Sequence, residues 1–441
     1  MASSNFMHRA AALLTLFVAL VAFAPAQAAM KIQEVRSKGG ITAWLVEDYT
    51  IPMISMRMAF RGGSTQDPDG KEGLANLITG LLDEGAGDID SDAFQEKLDE
   101  IGMDMRFSEG SDAIYGSVRT LSSAKDDAFA LLALALKSPR FDQAPIDRIR
   151  GQIVSGIIAG EKNPETIAGI AWSEALYGKH PYARRDQGTQ ATLAGITAED
   201  LHTFHRRNFA RDNLTVGVVG AIDAETLARV LDQVFGGLPE KANLVPVADV
   251  EAKLAQEIRI DYDLPQSSIQ LAYPGLKRDD PEFFAAFLMN HIFGGGTFSS
   301  RLFSEVREKR GLAYSVGSSL VNNRYSSSLI ISTATRADRA AETLKIIRDE
   351  AKKMADEGPT EAELVEAKKY IVGAYAINNL DSSGSIANTL VDLQMEELGM
   401  DYIDRRAGLI NAVTVEQAKA AAQRLLTTEP AVLILGPAAS K

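Results

Sequence analysis

The sequence predicts an α+β chain of two homologous halves, each a mostly antiparallel sheet covered by helices on one side. Three observations lead to this. Strand-like runs alternate with amphipathic helical runs yet also follow one another as hairpins. The same programme runs twice, at an offset of roughly 210 to 220 residues. The length, 441 residues, exceeds what one hydrophobic core usually serves.

Residues 1–28 read as an export signal. Arg9 precedes an apolar run from Ala10 to Ala24, and Ala26-Gln27-Ala28 supplies the small residues of a cleavage site. The run is shorter than the roughly 18 to 20 apolar residues of a spanning helix, and no later segment reaches that length. The mature chain is therefore expected to be exported, with no membrane span. Arg9 is the sole Lys, Arg, Asp or Glu in this stretch, so the mature chain is more acidic than the formal −13 of the whole. That balance argues against nucleic acid, which is bound by releasing counterions to Lys and Arg. Cysteine is absent, which excludes disulfides and thiolate zinc sites.

The N-terminal domain is expected over 31–237. It opens with strand and turn, "VEDYTIPMISMRMAFRGGSTQDPDG", followed by a helix in "KEGLANLITGLLDEGAG". A helix in "SDAFQEKLDEIG" ends at Gly102 and leads into a strand; the half closes with "GITAEDLHTFHRRNFARDNLTVGVVG", helix then apolar strand. The linker is expected over 238–256, where Pro239 and Pro246 stand among residues of mixed polarity. The C-terminal domain, 257–441, repeats the order. "DYDLPQSSIQLAYPG" aligns Pro265 with Pro52, "SSRLFSEVREKRG" ends at Gly311 as its counterpart does at Gly102, and "AVTVEQAKAAAQRLLTTEPAVLILGP" aligns Thr414 with Thr197 and Gly436 with Gly220.

In the first helix Leu74, Ala75, Leu77, Ile78, Leu81 and Leu82 recur at helical spacing, leaving Asn76, Thr79, Gly80 and Asp83 on the opposite stripe. Positions 76, 79 and 80 share one helix face. A zinc site of the H-x-x-E-H kind uses this spacing, two imidazoles ligating the ion and the Glu serving as base. Asn, Thr and Gly cannot rebuild it, because no imidazole or carboxylate remains to offset dehydration of the ion. His202 and His205, three apart on a helix, offer a possible metal pair; the competing expectation is that Leu201 and Phe204 pack inward while both histidines border solvent. His180 and His291 have no ligand at helical spacing and are expected to be structural.

In the second half Ser299 or Ser300 caps an expected helix running to Arg310, with Lys309 and Arg310 at its negative end. Arg307 lies one turn beyond Phe303 and beside Val306, bordering the buried seam. Tyr314 is expected on a strand face with Leu312 and Val316. Pairing with Glu305 or Glu308 is the plainer account of Arg307. Gly294-Gly295-Gly296 does not fit a phosphate loop, since no Gly-Lys-Ser/Thr follows.

On the "GLANLITG" helix, the "IVSGIIAGEKNP" segment and the "GGGTFSSRLFSEVREKRGLAYSVGSSL" segment, the chain resembles the pitrilysin, insulinase and mitochondrial processing peptidase family of zinc metalloproteases. The resemblance covers nearly the whole mature sequence and implies two LuxS/processing-peptidase-like domains. It places Asn76, Thr79 and Gly80 where members carry His, Glu and His, and Gly156 where they carry the third ligand, a Glu. It implies that Arg307 and Tyr314 reach substrate held at a zinc ion, binding backbone carbonyls and stabilising the tetrahedral intermediate. It further implies that Gly294, Gly295 and Gly296 let backbone approach an extended peptide, with tight helix entry as the alternative. The expectation is a non-catalytic subunit with no cofactor of its own. Its partner would be a zinc-bearing homologue in a heterodimer, its substrate a peptide or unfolded polypeptide, and its compartment the periplasm. The alternative is an inactive peptide-binding or scaffold protein of the same fold.

Overall fold

The computed structural model describes residues 30–438, so the expected export signal lies outside the described residues. Two sheets organise the chain. The first comprises β1 (Gln33–Arg36), β2 (Thr42–Glu47), β3 (Met53–Arg61), β4 (Asp104–Glu109), β5 (Ala113–Leu121) and β6 (Leu214–Gly220), in the order β1-β2-β6-β3-β5-β4. The second comprises β7 (Glu257–Asp261), β8 (Gln266–Pro274), β9 (Ala313–Asn322), β10 (Ser327–Arg336) and β11 (Ala431–Gly436), in the order β7-β11-β8-β10-β9. Each has one parallel pair, β2 with β6 and β7 with β11, and is otherwise antiparallel. The repeat seen in the sequence is thus a repeat of topology.

Its landmarks recur in three dimensions. Thr197 and Thr414 each cap a helix through a reciprocal box with Asp200 and Gln417. Gly102 and Gly311 both take a left-handed φ, +60° and +61°. One face of each sheet meets helices of its own half: Lys125–Lys137 and Ala224–Phe235 cover Met56, Met58 and Phe60, and Ala340–Glu357 and Val415–Leu426 cover Leu271 and Leu329.

The other faces depart from the expectation of one-sided cover. Trp44, Val46 and Val219 of the first sheet pack with Ala387, Leu390 and Leu393 of the helix Ser383–Met395, which follows β10 in the chain. Reciprocally, Ala168, Trp172 and Leu176 of the helix Pro164–Tyr177 pack on Ala272, Leu433 and Leu435 of the second sheet. Each half therefore lends a helix to the other's sheet. Close approach explains Gly217 in β6, where an added Cβ would stand 2.8 Å from the Ala387 carbonyl oxygen and 2.9 Å from the Leu390 Cβ.

The segment expected as a linker is docked along its length. Gln66 imitates a strand partner for Val245, accepting its N–H at 2.7 Å and donating to its carbonyl at 3.1 Å. Val250 N–H donates to Tyr325 O and Lys253 N–H to Leu176 O. At the seam, Asp112 Oδ2 accepts from the Tyr182 hydroxyl (2.6 Å) and from Arg324 N–H (3.0 Å), while the Tyr182 oxygen accepts Tyr325 N–H at 3.1 Å.

Candidate functional site

The polar stripe sits on a helix of six residues, Leu74–Thr79. It is shorter than the hydrophobic spacing suggests: Gly80 ends it, and Gly85 and Gly87 take left-handed φ values of +103° and +56° immediately after. Its start is fixed by Asp67, whose carboxylate accepts the N–H groups of Gly73 (2.8 Å) and Ala75 (2.9 Å). Burial pushes the Asp67 carboxyl up to about 7, against the pull of those donors.

Thr79 is only 5% exposed, while Asn76, Gly80 and Asp83 of the same stripe are half-buried. Asn76 Nδ2 donates to Oε1 of Glu109, the last residue of β4, at 2.5 Å. Thr79 Oγ1 donates to the Asn76 carbonyl at 2.8 Å, leaving its 3.4 Å contact with Glu109 Oε2 the weaker use of one proton. Sequence reading missed Glu109 because a strand residue 33 positions away has no periodic relation to the helix. Its signal was an acid closing the strand "DMRFSE", itself at the sheet edge.

Gly80 and Gly156, the other positions where the resemblance implies zinc ligands, have no side chain to offer. A Cβ at Gly80 would stand 2.9 Å from Ile149 Cγ2. That methyl belongs to a β-branched side chain on the helix Gln143–Gly160, where χ1 is stiff. The space beside position 80 is therefore already filled. Gly156 on the same helix has nothing within 4 Å of an added Cβ and lines a cavity of about 600 Å³ shared with Glu109, Thr166 and Gln187. One amide, one hydroxyl, two glycines and one carboxylate held by the amide do not fit a zinc ion. Among the described residues no three His, Cys, Asp or Glu side chains gather at one point.

The histidine pair does not face solvent together. His205 is 7% exposed, contacts the Leu136 carbonyl through Nε2 at 2.8 Å and stacks on Phe209. Burial lowers its pKa to about 4. His202 instead meets the Phe141 ring edge-on at 5.0 Å. His180 accepts Tyr182 N–H through Nδ1 and meets Ala248 O through Nε2, and His291 stacks on Tyr370.

On the second half Arg307 and Tyr314 come together. The Arg307 guanidinium carbon lies 5.0 Å from the Tyr314 ring centre, 4.8 Å from that of Phe303 and 6.0 Å from that of Phe298. Of the two acids expected as partners of Arg307, Glu305 is taken by Lys309 and Arg310, and among the described residues no ion pair joins Arg307 to Glu308. The expected regular helix to Arg310 is mostly a wide, π-type segment, Phe303–Glu308, and Ser300 Oγ accepts Phe303 N–H near its start.

Tyr314 does not share a buried face with Leu312 and Val316. Val316 pairs with Thr333 but Ala313 pairs with Thr335, so β9 carries one extra residue. This bulge breaks the alternation and turns Tyr314 outward, 85% exposed. Gly294 is placed by packing: its added Cβ would meet Ser318 Oγ at 2.5 Å and Ser318 N at 2.8 Å, so the π-type turn His291–Gly295 lies against β9. Gly295 is exposed, and an added Cβ at Gly296 would stand 2.8 Å from the His291 carbonyl.

Comparison with known proteins agrees with this geometry. Residues 44–190 match the model described as insulinase (peptidase family M16), and residues 195–371 the one described as peptidase M16 inactive domain. A peptidase M16 inactive domain from Pseudomonas fluorescens superposes with a TM-score of 0.87 at 30% identity, covering 93% of this chain and 99% of that one. A protease from Helicobacter pylori shares the fold, with a TM-score of 0.82 at 19% identity over 92% of this chain and 99% of that one. Among curated relatives, a non-peptidase homologue of Helicobacter pylori is 24% identical over 78% of this chain and 79% of its own length. An uncharacterized zinc protease of Streptomyces coelicolor is 27% identical over 86% and 84%. The chain belongs to the insulinase family of peptidases, M16, as an inactive member.

Proposed function

We propose that this chain is the non-catalytic, substrate-binding subunit of an exported, periplasmic heterodimeric metallopeptidase. A zinc-bearing homologue supplies the hydrolytic centre, and this chain supplies Arg307 and Tyr314 in trans. The observation that carries this reading is the state of Arg307: a guanidinium laid over aromatic rings, its neighbouring acid neutralised by Lys309 and Arg310, next to a tyrosine turned out of its own sheet. Such a fork has donors to spare for peptide carbonyls and for an oxyanion. Gly294, Gly295 and Gly296 precede the turn whose Phe298 ring meets Arg307, and would border the path of an extended peptide. The edge strands β4 and β9 add free backbone groups with which such a peptide can pair.

Mixing the purified chain with its zinc-bearing homologue tests the proposal. Peptide hydrolysis should rise on mixing, fall on the order of 100-fold with Arg307→Ala and about tenfold with Tyr314→Phe. Unchanged hydrolysis by both variants would refute the role in trans. A second reading, a peptide-binding or scaffold protein with no share in catalysis, draws on the relative described as a non-peptidase homologue. It predicts that no homologue gains activity from this chain.

A further inference from the structure

Two locally unfavourable features coincide beside Arg307. Thr297 has φ +47°, a left-handed conformation that its β-branched side chain resists. The next residue, Phe298, is 70% exposed to solvent. Gly296, a residue type that takes a left-handed conformation without penalty, stands one position earlier with φ −81°, so the strain falls on the threonine. The turn is nevertheless firmly bonded. The Thr297 carbonyl accepts Ser300 N–H at 3.2 Å and the Ser300 hydroxyl at 2.9 Å, Ser299 Oγ donates to Gly296 O at 3.0 Å, and Gly296 N–H donates to His291 O at 2.7 Å.

The effect is to hold the Phe298 ring edge-on to Phe303, centres 5.0 Å apart and planes at 80°, with Arg307 within reach of both. Tyr314 supplies a third ring. Phe303 is buried and fixed by the core, whereas Phe298 and Tyr314 stand in solvent. A guanidinium on a flexible stem, with no carboxylate paired to it among the described residues, takes its orientation from these three rings, of which Phe298 closes the solvent side.

We propose that Phe298 is a positioning residue for Arg307, and that the left-handed turn at Thr297 is the device that keeps its ring there. The inference rests on the assignment of Arg307 to substrate contact in trans. Backbone strain persists where the surrounding structure over-determines it, and such places cluster at ligand-handling sites. Here the strained residue and the exposed ring serve one side chain.

The test separates stability from orientation. Thr297→Gly removes the steric penalty and should raise Tm by about 1–2 °C. In complex with the zinc-bearing homologue it should nonetheless lower kcat about threefold to tenfold, with KM little changed. Phe298→Ala should lower kcat about tenfold at unchanged Tm, and Phe298→Tyr should restore most of it. A readout needing no partner is the ¹⁵N order parameter of the Arg307 Nε–H group, which should fall below about 0.6 in Phe298→Ala and Thr297→Gly. If Arg307→Ala cripples the pair while Phe298→Ala and Thr297→Gly leave kcat and the order parameter unchanged, this inference alone fails. If Arg307→Ala is also silent, the assignment beneath it fails. A drop in Tm for Thr297→Gly, in parallel with kcat, would mark the turn as merely structural and overturn the proposal.

Discussion

Asn76 and Thr79 stand where the family resemblance implies a zinc-ligating His and a Glu, and both have found other partners. The amide donates to Glu109, the hydroxyl to the Asn76 carbonyl, and a methyl of Ile149 stands where a side chain at position 80 would begin. Restoring the ligand residues should therefore not restore the ion. The variant Asn76→His, Thr79→Glu, Gly80→His, Gly156→Glu is expected to lose about 1–3 kcal/mol of stability from overpacking at position 80. Adding Ile149→Ala should recover part of that loss and tighten zinc affinity at least tenfold, measured by thermal unfolding and metal titration. Equal zinc affinity with and without Ile149→Ala would show that position 80 is not the obstacle. At this scale residue spacing establishes that positions 76, 79 and 80 share a helix face, while the family resemblance implies that ligands are missing from it. Neither could reveal Glu109 or Ile149, whose proximity depends on how a strand and a second helix are folded back.

Elements differ from their sequence expectations where glycines or an extra residue intervene. The hydrophobic spacing from Leu74 continues through Leu82, yet the regular helix stops at Thr79, with Gly80 at its C-cap, and the chain turns further on at the left-handed Gly85 and Gly87. β9 was legible as a strand, but its bulge was not, since one added residue leaves no mark on composition. The helix Ala198–Asn208 has a further property hidden from the sequence, a histidine held neutral in the core. The native state resists protonating His205 until about pH 4, whereas an unfolded histidine takes up its proton near 6.5. Between these values the unfolded chain binds more protons, so this contribution to stability is present above about pH 6.5 and lost as pH falls toward 4. Its span is on the order of 3 kcal/mol. Asp67 acts with the opposite sign: its native carboxyl keeps a proton up to about pH 7, so its contribution is largest below about pH 4 and declines as pH rises to about 7. His205→Gln should therefore remove the acid-side loss and leave stability declining with rising pH between about 4 and 6.5, whereas Asp67→Asn should make acid lability more pronounced. Denaturant midpoints across that range check both slopes.

At the scale of the molecule, the exchange of helices makes the two halves one cooperative body. Neither sheet has both faces covered without Ser383–Met395 or Pro164–Tyr177 from the opposite half, and the segment between them is bonded to both. Calorimetry of the whole chain should show a single unfolding transition, and Gly217→Ala should lower its Tm at a cost of about 1–3 kcal/mol, because the added methyl meets the Ala387 backbone. Two resolved transitions, or an unchanged Tm, would contradict that coupling. The duplicated plan, the order of elements within it and the capping residues were determined by the sequence alone, since each rests on spacing along the chain. Tertiary structure alone decided that Thr79 is buried against Glu109, that Tyr314 faces outward beside Arg307, and that each sheet borrows a helix from the other half. Those outcomes depend on contacts between residues tens to hundreds of positions apart, where the cost of closing the chain and the shape of the partner surface choose among pairings that local pattern leaves equivalent.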